Sequence, residues 1–439
     1  MTKRLVLMLC AALLCGVFVA ACGGGDDDES GGGSSAGTQE TGVTKGAKAI
    51  DPASMEGAKG DVVYCSGKDT TGERGDSLKR FNEQFSAQGL KAELLEFPED
   101  AGEQRNQFIQ RQRAKSDDCD VFVSDVIFTA EFASQKWLYD LTPYLESRQD
   151  EFIPSTLETA RYDGKLWGAP KDTNAGFLYY RSDQVDSAPA TWQEVYEDAA
   201  TKDGLAYQGA AYEGLTVHFL ELAFGAGGKA LSDDGKKAEI NSPENLEALE
   251  LMVKGIQDGA VPKAVTTYME EPARRAFEAG RVTYMRNWPY AFALGNEAPK
   301  VKGKFEVVPF PEFEGGEAAG VLGGSNLVIS AFSSNPGGAL ALVDFMSNPE
   351  TNNRAASKYA LPPALASSYE DAAVKKALPF AAELKAGVEQ AKPRPVSPVY
   401  TQISQAIFKN VNAALSGQMQ PQEALEKANG EIDQALATF

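Results

Sequence analysis

The feature that most constrains this chain is an alternation of two hydrophobic periods between residues 61 and 137. Residues 61–65 (DVVYC) form a compact β-branched and aromatic run, the pattern of a buried strand. Leu78, Phe81 and Phe85 then recur at helical spacing, and Gly89 stops that helix. The same reading predicts strands over 90–97 and 120–124 (DVFVS) and helices over 103–115 and 130–137. Such alternation predicts a parallel sheet covered by helices on both faces. Ligands of these sheets lie beyond the carboxyl ends of the strands. Those ends are Ser66-Gly67-Lys68-Asp69, Pro98-Glu99-Asp100 and Asp125-Val126.

Further along, residues 166–170, 176–180, 282–285, 305–309 and 326–330 read as strands. Residues 192–199, 215–224, 271–279 and 338–346 read as helices. Ser232-Asp233-Asp234-Gly235 is a hairpin-type turn. Asn241-Ser242-Pro243-Glu244 joins a capping side chain to a first-turn proline, and Leu246, Leu249, Val253 and Ile256 continue that helix to Gly259. Ile403, Ile407, Val411 and Leu415 mark a long amphipathic helix, and Pro421 opens a final one.

The N-terminus has its own logic. Lys3 and Arg4 precede an apolar run over residues 5–21 that closes on Ala20-Ala21-Cys22. That is the plan of a signal peptide, residues 1–21, with Cys22 placed for lipidation after cleavage. Residues 22–59 are rich in Gly, Ser and Asp and are expected to form a flexible tether to the membrane, on the outer face of a bacterial cell. Within it, Gly33-Ser34-Ser35-Ala36-Gly37 spells a nucleophile elbow, but that motif needs a strand before and a helix after it. The remaining body, about 380 residues, is long enough for two or three domains. A net charge of −20 argues against nucleic-acid partners. The single histidine, His218, lies in the apolar stretch Val217-His218-Phe219, which reads as packing and argues against a metal cluster or a histidine-based triad.

Cys65 and Cys119 are the two cysteines of the body. Cys65 falls late on one predicted strand and Cys119 just before another. Parallel neighbours would hold them near opposite ends of the sheet, so two free buried thiols are expected.

Several segments then carry a resemblance. Asp163-Gly164-Lys165-Leu166-Trp167-Gly168-Ala169-Pro170, followed by Gly176-Phe177-Leu178-Tyr179-Tyr180-Arg181, resembles the first hinge of maltose/trehalose-type extracellular solute-binding proteins (family 1) of carbohydrate ABC importers. Residues 120–125, Glu131-Phe132-Ala133 and Trp137-Leu138 are similar to the third strand and next helix of that family's first lobe. Arg286-Asn287-Trp288-Pro289-Tyr290-Ala291 resembles its second-lobe sugar loop, and Gly323-Gly324-Ser325-Asn326 and Arg394-Pro395-Val396-Ser397-Pro398 match later segments in order. The resemblance implies an α/β, two-lobed periplasmic-binding-protein fold (type II) with the ligand cleft between lobes. It implies a first lobe over 60–172, a second over 173–310, a return to the first over 311–375, and C-terminal helices over 376–439 mostly on the second. It also implies a monomeric binder with no enzymatic activity and no cofactor. Its partners would be a small carbohydrate, a disaccharide such as trehalose or maltose, an ABC permease pair and the associated ATPase.

A neutral sugar offers hydroxyls at its edge and C–H groups on its faces, so its site needs planar polar side chains and aromatic plates. Asp125 ends the third strand; its competing role is capping the next helix. Asp172 and Asn174 follow the hinge strand, and the family has a carboxylate where Asn174 stands. Trp288 and Tyr290 flank Pro289, with core packing as the competing role. Arg394 and Arg105 match sugar-contacting arginines of the family; a linker surface and a helix salt bridge are the alternatives. Asp69 and Thr70 follow the first strand, and Gly323 and Gly324 permit close backbone approach. Glu213, Glu270 and Tyr400 rank below these. Many relatives place an aromatic ring where Ser325-Asn326 stands. Two other functions compete. A lipid-anchored glycoside hydrolase needs a carboxylate pair about 5 or 6.5–9.5 Å apart, and no pair stands out. The same fold could instead hold a non-sugar solute, but two arginines among acids and aromatics suit a neutral polyol better.

Overall fold

The computed structural model describes residues 42–69, 71–98 and 101–438. Cys22, the predicted signal peptide and Thr70 lie outside them. Among the described residues the strands are β1 (Gly60–Gly67), β2 (Leu90–Phe97), β3 (Val121–Asp125), β4 (Arg161–Tyr162), β5 (Lys165–Leu166), β6 (Ala169–Asn174), β7 (Phe177–Tyr180), β8 (Leu205–Ala206), β9 (Tyr284–Asn287), β10 (Glu306–Val308) and β11 (Gly323–Ile329).

The first lobe is built on the sheet β2-β1-β3-β11-β6. β1 pairs parallel with β2, Gly60 opposite Leu90 through Gly67 opposite Phe97, and parallel with β3. β11 is antiparallel to both β3 and β6. Alternate residues face opposite sides, and both sides are covered. Val62, Tyr64, Val121, Val123, Leu327 and Ile329 pack with Leu78 and Phe81 of the helix Glu73–Phe85 and with the helix Pro336–Ser347. Cys65, Phe122 and Val328 pack on the other side with Phe108, Ile109 and Phe132. The Phe108 and Phe122 rings stack at 4.7 Å. This is the α/β arrangement expected from the alternation over 61–137.

The second lobe is built on β10-β7-β9-β8. β7 and β9 are antiparallel, and β8 and β9 are parallel. Its helices start where the chain supplies caps. Thr191 and Glu194 form a capping box at Trp192–Thr201, and Ser242 with Pro243 starts Pro243–Gln257. The C-terminal helices Tyr400–Leu415 and Pro421–Leu436 join the same core through Ile403, Ile407, Leu425 and Ile432. Only Ala175 and Gly176 separate β6 of the first sheet from β7 of the second. A second crossing lies beside β11, where Lys392 exchanges backbone hydrogen bonds with Gly320 and Leu322, each at 2.9 Å.

Two expectations need correction. The tether was expected to run to residue 59, but residues 42–59 are folded onto the first lobe. Ile50 is buried, its N–H donates to the Asp140 carbonyl at 2.9 Å, and Pro52–Met55 forms a 3-10 turn capped by Asp51. Thr44 donates its N–H and hydroxyl to Asp163 at 2.9 and 2.8 Å. One isoleucine and a few polar anchors secure this stretch, and an average over a Gly-rich tract conceals them. The second correction concerns the thiols. Cys65 and Cys119 form a disulfide, with Cα atoms 5.9 Å apart. Cys119 is not in the strand: the chain bends at Asp118 and Asp120, which lays Cys119 against the face of the sheet that carries Cys65. The expected separation assumed an extended approach to β3.

Closing a loop of this length restricts the unfolded chain, so replacing both cysteines with alanine should lower stability by roughly 2–4 kcal/mol. Urea unfolding of the oxidised protein and of the Cys65→Ala/Cys119→Ala variant measures the difference.

Candidate functional site

Three strand termini define one edge of the first sheet. β3 ends at Asp125, β6 ends at Asn174, and β11 begins at Gly323. Pairing sets Ser325 beside Asp125 and Asp172, and Gly323 beside Asn174. Five of the predicted residues, Asp125, Asp172, Asn174, Gly323 and Gly324, therefore share this edge. Gly324 has φ +115°, and a Cβ there would fall 2.4 Å from the Asp172 carbonyl oxygen. Only glycine fits there, just before the register shift of the β6–β11 pairing between Ser325 and Asn326.

The second lobe meets this edge through the loop after β9. Asn287 accepts a hydrogen bond from the Trp288 amide at 2.9 Å, which turns the chain. Trp288 is half-buried. A Cβ on Gly323 would lie 3.5 Å from Trp288 Cζ3 and 3.3 Å from Asn174 Cβ, so the indole edge reaches the first lobe. Tyr290 is exposed, and its hydroxyl donates to Glu271 at 2.9 Å.

A polar bridge forms a second interlobe contact. Arg394, held between Pro393 and Pro395, donates to Asp125 Oδ1 at 3.2 Å and to Glu213 Oε1 at 2.9 Å. Glu213 opens the helix Glu213–Gly225 of the second lobe and also accepts from Tyr400 Oη at 2.6 Å and from Ser404. Burial first, and then the Glu213 carboxylate, hold the Tyr400 phenol well above its usual value, so it stays a hydrogen-bond donor at neutral pH. Asp125 also has the capping role named as its alternative: its Oδ1 accepts from the Ile127 amide at 3.1 Å.

The remaining candidates are already engaged. Arg105 is ion-paired with Glu131 and lies over the Phe128 ring, which matches the salt-bridge alternative. Asp69 accepts from the amides of Gly72 at 2.8 Å and Gly75 at 3.0 Å and so caps the helix Glu73–Phe85. Burial opposes its ionisation, but the Gly75 and Gly72 amides outweigh it and hold the carboxyl below its usual range. His218 is fully buried, with Nδ1 3.2 Å from Glu221, and packs against Trp192 and Tyr207.

Sequence reading passed over several residues that support the site. Lys171 on β6 forms a buried ion pair with Glu73 at 3.0 Å and lies 3.4 Å from Asp172. Burial opposes ionisation of Glu73, but the Lys171 ammonium and the bonds from Lys171 and Ser77 hold its carboxyl below the usual range. Arg286, Glu221 and Gln208 lie beneath Trp288. The only available signal for them was the position of Arg286 at the head of the Trp-Pro-Tyr segment. Among the described residues no group of acids, histidines and cysteines is arranged to hold a metal ion.

Two lobes joined by short crossings, with polar and aromatic groups converging between them, are the architecture of a solute-binding protein. The chain belongs to the bacterial extracellular solute-binding proteins, whose family model matches residues 68–353. A Deinococcus radiodurans protein described as a "probable ABC transporter-binding protein" is 31% identical over 386 residues, covering 83% of this chain and 91% of the relative. Among solved structures, maltose-bound MalE3 of T. maritima is 36% identical, with a TM-score of 0.77 over 85% of this chain and 99% of that one. A Thermotoga lettingae solute-binding protein bound with α-D-tagatose has a TM-score of 0.75 at 24% identity, covering 86% and 99% of the two chains, and shares the fold.

Two substitutions test this architecture. Gly324→Ala should cost roughly 1–3 kcal/mol through backbone strain, read as a lower urea midpoint. Lys171→Met leaves Glu73 buried without its cation and should cost about 3–5 kcal/mol. A depressed carboxyl contributes stability above its unfolded value and loses it as pH falls through the folded value. The stability deficit of Lys171→Met should therefore shrink as the pH is lowered below about 4.5, the unfolded value for Glu73. A deficit that stays constant across that window would contradict it.

Proposed function

We propose that this protein captures a small carbohydrate, a disaccharide such as maltose or trehalose, and delivers it to an ABC importer. The observation that carries the reading is the convergence at one edge of Asp125, Asn174, Arg394 and Trp288, drawn from both lobes. Planar carboxylate, amide and guanidinium groups suit the vicinal hydroxyls of a sugar, and the indole suits its C–H face. The maltose-bound relative at 36% identity supports the same class of ligand. Asp172, Tyr290, Gly323 and Gly324 border this group, whereas Asp69 and Arg105 act at the cleft margin through their existing partners.

In this reading Cys22 carries a diacylglycerol after removal of residues 1–21, and the folded body, a monomer, docks on a permease pair driven by an ATPase. Acyl chains contribute about 0.8 kcal/mol per buried CH₂, enough for two or three of them to hold the protein on a bilayer. Labelled palmitate should be incorporated by cells expressing the protein and lost in Cys22→Ala; label retained by the variant would contradict lipidation at that residue.

Calorimetry across a panel of mono- and disaccharides should give micromolar or tighter affinity for at least one sugar. Trp288→Ala should weaken it by at least about tenfold, the loss of about 1.4 kcal/mol expected for a stacking plate. No heat from any sugar, with amino acids or polyamines binding instead, would contradict the carbohydrate reading.

A further inference from the structure

The indole of Trp288 sits on a loop, and a plate free to rotate would lose ordering entropy on every binding event. Most of its surroundings are fixed. The benzo edge faces Gly323 and Asn174 of the first lobe, as described above. Nε1 lies 3.4 Å from Glu270 Oε1. One ring face is covered by Arg286, whose guanidinium carbon stands 4.2 Å from the ring centroid.

Arg286 has no exposed surface. Its Nε and Nη2 donate to the two carboxylate oxygens of Glu221, the first at 2.9 Å. Its Nη1 donates to Gln208 Oε1 at 2.9 Å, and Gln208 Nε2 donates back to the Arg286 carbonyl at 3.2 Å. Gly176 at the interlobe crossing makes room for this cluster. A Cβ there would lie 2.6 Å from both Arg286 Nη2 and Glu221 Oε1. A buried ion pair contributes little net stability beside an apolar replacement, so stability alone does not account for it. A guanidinium clamped in plane by a carboxylate fork is, however, a rigid flat surface that stacks on aromatic rings.

We infer that Arg286, clamped by Glu221 and Gln208, is a positioning residue that pins one face of Trp288 and leaves the opposite face as the single stacking surface for a sugar ring. The inference rests on the carbohydrate reading and deepens it. Arg286 touches no solute, and its effect passes through the indole. Lysine cannot replace it, because a compact ammonium offers neither the plane nor the fork.

The test uses four variants: Trp288→Ala, Trp288→Phe, Arg286→Lys, and the charge-balanced pair Arg286→Met/Glu221→Gln. It has two readouts. Acrylamide quenching of Trp288 fluorescence, taken as the difference from Trp288→Phe, measures the freedom of the ring with no solute present. Calorimetry with maltose and trehalose measures affinity. Both Arg286 variants are expected to raise Trp288 quenching and to weaken sugar binding at least about tenfold, with the rest of the fold intact by circular dichroism. Arg286→Lys is the gentler change, should the balanced pair fold poorly. Unchanged quenching in Arg286→Lys overturns the inference whether or not a sugar binds. If Trp288→Ala loses affinity while the Arg286 variants bind like the parent, the shelf is refuted and the carbohydrate reading survives. If Trp288→Ala itself keeps full affinity, the stacking platform falls and the inference with it.

Discussion

The contact on which the two-lobed arrangement turns is the bridge Asp125–Arg394–Glu213. Asp125 ends a strand of the first sheet, and Glu213 begins a helix of the second lobe. Arg394, on a crossing segment stiffened by two prolines, reaches both. A nearly buried guanidinium is tolerated only with such partners, because an unpaired buried charge is costly. In the proposed reading, the same atoms that relate the lobes are the ones a polyhydroxylated solute would compete for. Hinge closure in such folds is motion about short crossings, and here one crossing is only the two residues Ala175 and Gly176.

Small residues make this geometry possible. Gly324 lets β11 lie against the bulged end of β6, and Gly176 lets the crossing pass over Arg286 and Glu221. On the far side of the first sheet the Cys65–Cys119 disulfide fixes the entry to β3, and so the strand that presents Asp125. The edge is thus held by backbone fit and covalent closure.

Much of the fold was legible because the period of the hydrophobic pattern changes sharply. The parallel strands β1, β2 and β3, the helix capped by Ser242 and the helix opened by Pro421 were read within a residue or two of their observed positions. What escaped were features set by tertiary context. β8 is two residues long, too short for a periodic signal. Residues 42–59 are tied down by single anchors, and Cys119 is placed by a bend whose direction no pattern records. The site shows the same division. Asp125, Asn174 and Trp288 could be named as candidates because strand ends, an aromatic loop and the family resemblance are visible in a sequence. The clamp on Arg286 by Glu221 and Gln208 depends on residues far apart in the chain.

The most direct measurement is a crystal structure of the protein purified from cells or grown with maltose or trehalose. The account predicts sugar density between the lobes, with a ring stacked on Trp288 and hydroxyls within hydrogen-bond reach of Asp125, Asn174 or Arg394. Density for a bound solute elsewhere, or a sugar in the cleft that touches none of these four residues, would contradict it.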